Sequence, residues 1–158
     1  MVAKSDLTQY EIERNKPEPS FNHSILQTNL IIALGAYKKK YRLASELKFR
    51  LPPDNWESVP DIAILSKTTP DFKKDIIAYP KPPLCAIEIL SPTQSLTELT
   101  TKVLEYFQYG VKSCWIVLPE FKNIYVYSSP EEYEIFKASD ILTDKNLNLS
   151  FSLKEVFE

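Results

Sequence analysis

The segment that most constrains the fold is residues 84–90, which read Leu-Cys-Ala-Ile-Glu-Ile-Leu. Its apolar run is almost continuous, which predicts a strand that is buried on both faces near the centre of a sheet. The only charged residue in this run is Glu88. Because an unpaired carboxylate is costly to bury, Glu88 is expected to be protonated, paired with a cation or bound to a metal ion.

The rest of the chain alternates between helical and extended patterns around this strand. Helices are predicted at residues 22–41 and 95–109, with Asn22 as the N-cap of the first and Gly110 at the end of the second. Further strands are predicted at residues 10–13, 43–51, 60–65 and 113–118. A long polar loop is expected at residues 66–83, a hairpin at 123–137 and a short helix at 151–157. The predicted fold is therefore α/β, of the mixed-sheet α+β kind, with the core order helix, strand, strand, strand, helix, strand and a C-terminal hairpin.

The chain of 158 residues has the length of one compact domain. Residues 1–20 are interpreted as an N-terminal lead-in and residues 21–158 as a single domain. The formal net charge is −2, so a polyanion would have to bind at a local patch, for which the candidates are Lys38, Lys39, Lys40, Lys48, Lys73 and Lys74. No membrane-spanning run and no secretory signal is recognised, and a cytoplasmic location is expected.

The scarcity of three residue types excludes several classes of enzyme. His23 is the single histidine, which argues against histidine-rich zinc centres and Ser-His-Asp hydrolases. Cys85 and Cys114 each lie in an apolar run and are expected to be buried free thiols. With only two glycines, the chain lacks phosphate-binding glycine loops. Catalysis would therefore depend on carboxylates, lysines and metal ions.

Asp61 and Glu88 are the candidate pair of acids. Asp61 begins one predicted strand, Glu88 lies within the next, and neighbouring strands are about 4.8 Å apart, so the two side chains could converge on one cation. Oxygen ligands suit Mg²⁺ or Mn²⁺. The alternatives are a buried salt bridge for Glu88 and a structural Pro-Asp turn for Asp61.

Lys102 and Glu46 are further candidates. Lys102 borders the apolar stripe of the second helix, from which its side chain could extend towards the sheet. The alternative is an exposed ion pair with Glu98, which also fits a capping box with Ser95. Glu46 could add a carboxylate to the site or be a polar residue of an alternating strand.

Four segments together resemble the Uma-type family of restriction endonucleases, which belongs to the PD-(D/E)XK nuclease-like superfamily. The segments are residues 60–65, residues 86–92, Lys102 with Tyr106 and Gly110, and residues 115–119. The resemblance runs from about His23 to the C-terminus. Its most specific part is Glu-Ile-Leu-Ser-Pro followed by a lysine eleven residues after the serine.

The resemblance implies a restriction-endonuclease-like core and a role for each matching position. Asp61 and Glu88 resemble the two catalytic acids, and the carbonyl of Ile89 would be a further metal ligand. The superfamily's usual strand lysine is replaced here by Leu90, which makes Lys102 its equivalent. Glu46 resembles an acid supplied by an earlier element. The chain departs from the family pattern at residues 12–15, which lack a glycine, and at Glu98 and Leu118, where aspartate is common.

The leading hypothesis is a Mg²⁺- or Mn²⁺-dependent endonuclease that hydrolyses phosphodiester bonds, with DNA as the expected polymer and a homodimer as the expected assembly. In this hypothesis Lys102 orients the attacking water or offsets charge in the transition state. The alternative is a catalytically inactive relative that serves as a nucleic-acid-binding or assembly module. A third hypothesis is a toxin-like or transposon-associated protein that acts with a partner.

Overall fold

The structure is a computed structural model that describes residues 7–14 and 16–158. Its helices are α1 (Gln9–Arg14), α2 (Phe21–Leu34) and α3 (Leu96–Gln108). Its strands are β1 (Tyr41–Ser45), β2 (Phe49–Leu51), β3 (Trp56–Ser58), β4 (Ile62–Ser66), β5 (Cys85–Ile89), β6 (Ser113–Leu118), β7 (Asn123–Tyr127), β8 (Tyr133–Lys137), β9 (Ile141–Asp144) and β10 (Leu149–Ser152).

A mixed six-stranded sheet in the order β1-β4-β5-β6-β7-β8 forms the centre of the fold. Strands β5 and β6 are parallel and are joined through α3, whereas the other neighbouring pairs are antiparallel. All five residues of β5 are buried, as the apolar run predicts for a central strand. The predicted mixed α/β fold class is confirmed.

The alternation of side chains along β5 divides the core into two layers. Ile87 and Ile89 pack with α2 and with the two-stranded β9–β10 ladder. Ala86 belongs to the layer beneath α3, which contributes Leu99 and Val103. Glu88, two residues after Ala86, is therefore directed towards α3.

Helix α3 matches its sequence prediction closely because its end signals are local. Ser95 is the N-cap, and its Oγ accepts a hydrogen bond from the Glu98 backbone N–H at 3.2 Å. Gly110 follows the helix with φ = +107°, a conformation that side-chain-bearing residues rarely adopt. Lys102 and Tyr106 consequently lie one helical turn apart, on the side of α3 that meets the sheet.

The first predicted helix corresponds to α2 but differs from it at both ends. Helix α2 is capped by Ser20, not Asn22, and gives way to a 3-10 turn at Gly35–Tyr37. Residues 38–40 lie outside the helix because Tyr41 already pairs with Ser66 in the sheet. Tertiary pairing here overrides a favourable local helical pattern.

Two predicted strands were wrong in extent or type. The strand predicted at residues 43–51 is interrupted after β1, because Glu46 has a left-handed backbone with φ = +54°. Residues 10–13 lie in α1, whose first turn is closed by a reciprocal capping box in which Thr8 and Glu11 bond each other's backbone N–H at 3.2 Å. A hydrogen-bonded helix start therefore replaces the predicted strand.

The C-terminal prediction was also incomplete. Phe151 lies in β10, which pairs with β9 in register Phe151↔Leu142, and only a turn follows at residues 154–157. Cys85 and Cys114 are free and buried, as expected. None of the helices in the described part of the chain has the length and apolar character needed to cross a membrane.

Replacing Ser95 with Ala is expected to destabilise the fold by about 1 kcal/mol, because the Glu98 N–H at the start of α3 loses its acceptor. Ser95→Asp should restore most of this loss, since aspartate caps a helix equally well. Urea unfolding followed by far-UV circular dichroism measures both changes. Equal stability of Ser95→Ala and wild type would contradict the capping role.

Candidate active site

Asp61 lies just before β4 and is almost completely enclosed, with 1% of its surface exposed. One carboxylate oxygen, Oδ2, accepts the Ile89 backbone N–H at 2.7 Å and lies 3.1 Å from Nε2 of His23. The other oxygen, Oδ1, accepts a hydrogen bond from Nζ of Lys16 at 2.5 Å. The Asp61 carboxylate therefore joins the end of β5, the start of α2 and the N-terminal segment.

Glu88 is enclosed on the side of β5 that faces α3, with 3% of its surface exposed. The Tyr106 hydroxyl donates to Oε1 of Glu88 at 2.9 Å and lies 2.6 Å from Oγ of Ser58. Because the single Tyr106 proton is directed to Glu88, Ser58 is the donor in the second contact. This chain of hydroxyls fixes the orientation of the Glu88 carboxylate.

The strand register brings these two acids to the same end of the sheet. Ile62 is paired with Ile87 in the antiparallel β4–β5 ladder, so Asp61 and Glu88 each lie one residue beyond this pair, at the same end of the two strands. The two charges interact, since the Asp61 charge contributes to the raised pKa of Glu88. The two acids therefore lie at the same end of neighbouring strands, and their convergence on one cation stays a prediction.

Lys102 extends from α3 to Glu88, and its Nζ is 3.5 Å from Oε1. Its side chain is 24% exposed, so the amine lies at the border between the enclosed acid and solvent. The salt bridges among the described residues include none between Lys102 and Glu98, and the Glu98 backbone N–H is the group that the Ser95 side chain caps. Leu90, at the position of the superfamily's usual lysine, packs against the apolar layer beneath α3.

Glu46 reaches the site from the turn after β1. Its Oε2 accepts a hydrogen bond from Nζ of Lys16 at 2.9 Å, and its Oε1 accepts one from the Tyr10 hydroxyl at 3.1 Å. Its backbone N–H bonds the Asp61 carbonyl at 3.2 Å, which holds the two acids in adjacent positions. For Ile89, the contact to the site is the N–H bond to Asp61, and ligation through its carbonyl stays a prediction.

Two residues of this cluster were not recognised from the sequence. Lys16 lies in the predicted lead-in, yet its side chain is only 7% exposed and contacts both Asp61 and Glu46. His23 is buried in the first turn of α2 beside Asp61, and its Nδ1 has no hydrogen-bond partner among the described residues. The spacing of His23 with Leu26 and Leu30 on one helix face could have revealed it. Lys16 has no comparable sequence signal.

The surroundings of the two acids shift their pKa values in opposite directions. Burial opposes ionisation of Asp61, but the hydrogen bond to His23 and the charge of Lys16 outweigh it and lower the pKa. Burial is the main effect on Glu88 and raises its pKa, with a further contribution from the charge of Asp61. Lys102, Lys16 and the Tyr106 hydroxyl counteract only part of this increase.

The donor set is suited to a hard cation. Carboxylate oxygens of Asp61 and Glu46 and the carbonyl of Val59 converge on one positively charged nitrogen, that of Lys16. Oxygen donors of this type are those that Mg²⁺ and Mn²⁺ prefer. No group of three or more His, Cys, Asp or Glu side chains with metal-binding geometry occurs within residues 7–14 and 16–158. A cation would therefore use the acids together with backbone oxygen and water.

The basic residues proposed for phosphate contact are not all near this cluster. Lys38, Lys39 and Lys40 precede β1, whose first residue pairs with the last residue of β4. Asp61 precedes the first residue of β4, so this lysine run is about 15 Å from Asp61 along the strands. These three lysines therefore do not contribute to the immediate surroundings of the acids.

Comparisons with known proteins agree with the fold and its sequence motifs. The model of the Uma2 family, described as "Putative restriction endonuclease", matches residues 4–154. The crystal structure of "a putative nuclease belonging to DUF820" from Anabaena variabilis superposes with a TM-score of 0.76 at 26% sequence identity, covering 90% of this chain and 83% of that one. Among curated proteins, none matches this chain.

Replacing Glu88 with Gln is expected to stabilise the metal-free protein by an amount that grows with pH. Folding raises the pKa of Glu88 above its ordinary value of 4.5. The stability linked to its proton is therefore present below that value and is lost as the pH rises through the raised pKa. Glutamine cannot ionise, so the variant avoids this loss, which is about 1.4 kcal/mol for every tenfold weakening of the acid by folding.

Urea unfolding in chelator at pH 5, 6, 7 and 8 measures this difference. The exposed Glu155 provides the matched control, because Glu155→Gln should leave stability unchanged across the same range. A stability gain for Glu88→Gln that is absent, or equal at every pH, would contradict the buried-acid interpretation.

Proposed function

The chain belongs to the Uma2 family, and from this premise we propose that it is a divalent-metal-dependent endonuclease that hydrolyses the phosphodiester bonds of DNA. The observation that carries the proposal is the pair of buried acids, Asp61 and Glu88, at the same end of neighbouring strands, with Lys102 beside Glu88. DNA is the proposed polymer by analogy with restriction endonucleases.

Asp61 and Glu88 are the proposed metal ligands, and Glu46 and the Ile89 carbonyl are candidates for further ligands. When bound, Mg²⁺ or Mn²⁺ would supply Lewis-acid stabilisation of the phosphate and lower the pKa of a coordinated water. Since the Asp61 carboxylate is held by the Ile89 N–H, and Glu88 by the Tyr106 hydroxyl, both acids are oriented before a ligand arrives. Such preorganisation reduces the reorganisation needed during reaction.

Lys102 is proposed as the basic catalytic residue. Its amine is near Glu88 but remains partly exposed, so it can contact a phosphate that approaches from solvent. A fixed positive charge in that position would offset negative charge that develops on the phosphate during hydrolysis. His23 and Tyr106 are positioning residues in this scheme, because they contact the acids and not the substrate.

A non-catalytic function is the second candidate, and Lys16 is the observation that favours it. An ammonium group between Asp61 and Glu46 balances part of their charge without a metal ion. The chain would then serve as a nucleic-acid-binding or assembly module on a nuclease fold. Such a protein would bind plasmid DNA without cutting it, and Mn²⁺ would not raise its melting temperature.

We also propose a homodimer, in which two copies of the site act on the two strands of a duplex. Sedimentation equilibrium with and without a short DNA duplex tests this assembly. A monomer under both conditions would overturn it without affecting the proposed chemistry.

In a plasmid-nicking assay, wild-type protein with Mg²⁺ or Mn²⁺ is expected to convert supercoiled DNA to nicked and linear forms. Glu88→Gln and Asp61→Asn should lose metal-dependent cleavage because each removes an anionic ligand. Lys102→Met should reduce the rate by roughly 100-fold, the usual cost of losing one group that stabilises transition-state charge.

Glu155→Gln is the matched control and should cut at the wild-type rate. Circular dichroism and melting curves establish that each variant is folded. Cleavage by a folded Glu88→Gln protein would overturn the assignment of Glu88, and absence of cleavage by folded wild type would favour the non-catalytic function.

A further inference from the structure

The ammonium group of Lys16 is enclosed by oxygen atoms of the candidate metal site. Its Nζ lies 2.5 Å from Oδ1 of Asp61, 2.9 Å from Oε2 of Glu46 and 3.1 Å from the carbonyl oxygen of Val59. A lysine amine has three protons to donate, and these three acceptors use all of them. The Lys16 ammonium group is therefore surrounded by protein oxygen atoms, as a bound metal cation would be, whereas a surface lysine is surrounded by water.

The charge of Lys16 is held firmly in this position. Burial favours loss of its proton, but the charges of Asp61, Glu88 and Glu46 outweigh burial and raise the pKa above its ordinary value. Lys16 is consequently charged at neutral pH, and it keeps the acids partly neutralised.

The segment that carries Lys16 has polar contacts to the site, and its apolar residues in the described ranges are exposed or half-buried. The buried apolar residues of the described chain begin at Leu26, so residues 7–12 and 16–19 contribute none of them. Ile12 is 49% exposed, and α1 reaches the site through the Tyr10 hydroxyl, which donates to Glu46. Displacement of Lys16 would therefore remove the charged contacts of this segment with Asp61 and Glu46.

A divalent cation and Lys16 compete for the same oxygen atoms. Mg²⁺ binds carboxylate oxygen at about 2.1 Å, so a metal on Oδ1 of Asp61 would lie within about 5 Å of the Lys16 nitrogen. Two positive groups at that separation repel each other strongly in an enclosed site. When ionised, the carboxylates of Asp61, Glu46 and Glu88 carry three negative charges, and Lys102 nearby carries one positive charge. One divalent ion therefore brings the net charge of the site to zero, and retention of Lys16 would make it positive.

We propose that Lys16 is an internal occupant of the metal site that a divalent cation must displace, so that metal binding releases the N-terminal segment from Asp61 and Glu46. The inference rests on the proposed function, since it takes the acids as metal ligands. Competition with Lys16 makes the affinity for metal weaker than the acids alone would give. It also couples metal binding to release of the segment that carries Lys16.

Isothermal titration of chelator-treated protein with Mn²⁺ tests this competition. Lys16→Met keeps the length of the side chain but removes the charge, and it should bind Mn²⁺ at least tenfold more tightly than wild type. Lys154→Met, at an exposed position, is the matched control and should bind as wild type does. Adding Asp61→Asn to Lys16→Met should remove the tight binding, which assigns it to this site.

The outcomes separate the inference from the function on which it rests. Equal or weaker Mn²⁺ binding by Lys16→Met, beside clear binding by wild type, would overturn the displacement of Lys16 and leave the metal site standing. If neither folded protein binds Mn²⁺, the proposed metal-dependent function itself is overturned, and the inference with it.

Hydrogen exchange on the wild-type protein gives a second readout that needs no substitution. Saturating Mn²⁺ should accelerate amide exchange in peptides from residues 7–19, because α1 and Lys16 lose their contacts to the acids. Unchanged or slower exchange in this segment, measured where Mn²⁺ binding is saturated, would overturn the proposal.

Discussion

The burial of two carboxylates at one end of an apolar sheet is the constraint around which the molecule is organised. Water stabilises a free carboxylate strongly, so each buried acid must find replacement donors in the protein. Asp61 receives them from the Ile89 backbone, His23 and Lys16, and its pKa is lowered. Glu88 has the Tyr106 hydroxyl and a more distant Lys102, and its pKa is raised. Glu88 therefore has fewer stabilising donors than Asp61, and an added cation would stabilise its charged form.

The sheet topology explains why the donors come from both sides. Strands β4 and β5 bring the acids together, while α2 lies on one face and α3 on the other. His23 therefore approaches Asp61 from the first face, and Tyr106 and Lys102 approach Glu88 from the second. The site is formed at the end of the sheet where the two layers meet, so no single element carries it. A change in register of one residue between β4 and β5 would separate the acids.

The features that could be predicted from sequence are those encoded over short distances. The apolar run of β5 with its glutamate, and Lys102 one turn before Tyr106 on α3, are local patterns with direct structural consequences. The contacts of Lys16 with Asp61 and Glu46 span 45 and 30 residues, and no periodicity encodes them. The predicted first helix extended beyond the actual end of α2 for a related reason. Tyr41 pairs with Ser66 in the sheet, and this pairing depends on residues that are distant in the sequence. The local patterns could be predicted from the sequence, whereas the contacts of Lys16 with acids distant in the sequence could not.

The two lysines of the site differ in a way that assigns them different tasks. Lys102 is 24% exposed and contacts one carboxylate, so its charge can face a substrate without leaving its place. Lys16 is 7% exposed, and within the described part of the chain it donates to three protein oxygens, so these bonds occupy its three protons. Leu90, which replaces the lysine of the strand position, packs in the apolar layer and cannot supply a charge. Under the proposed function, these differences make Lys102 the candidate catalytic lysine and make the enclosed Lys16 the candidate for the exchangeable cation.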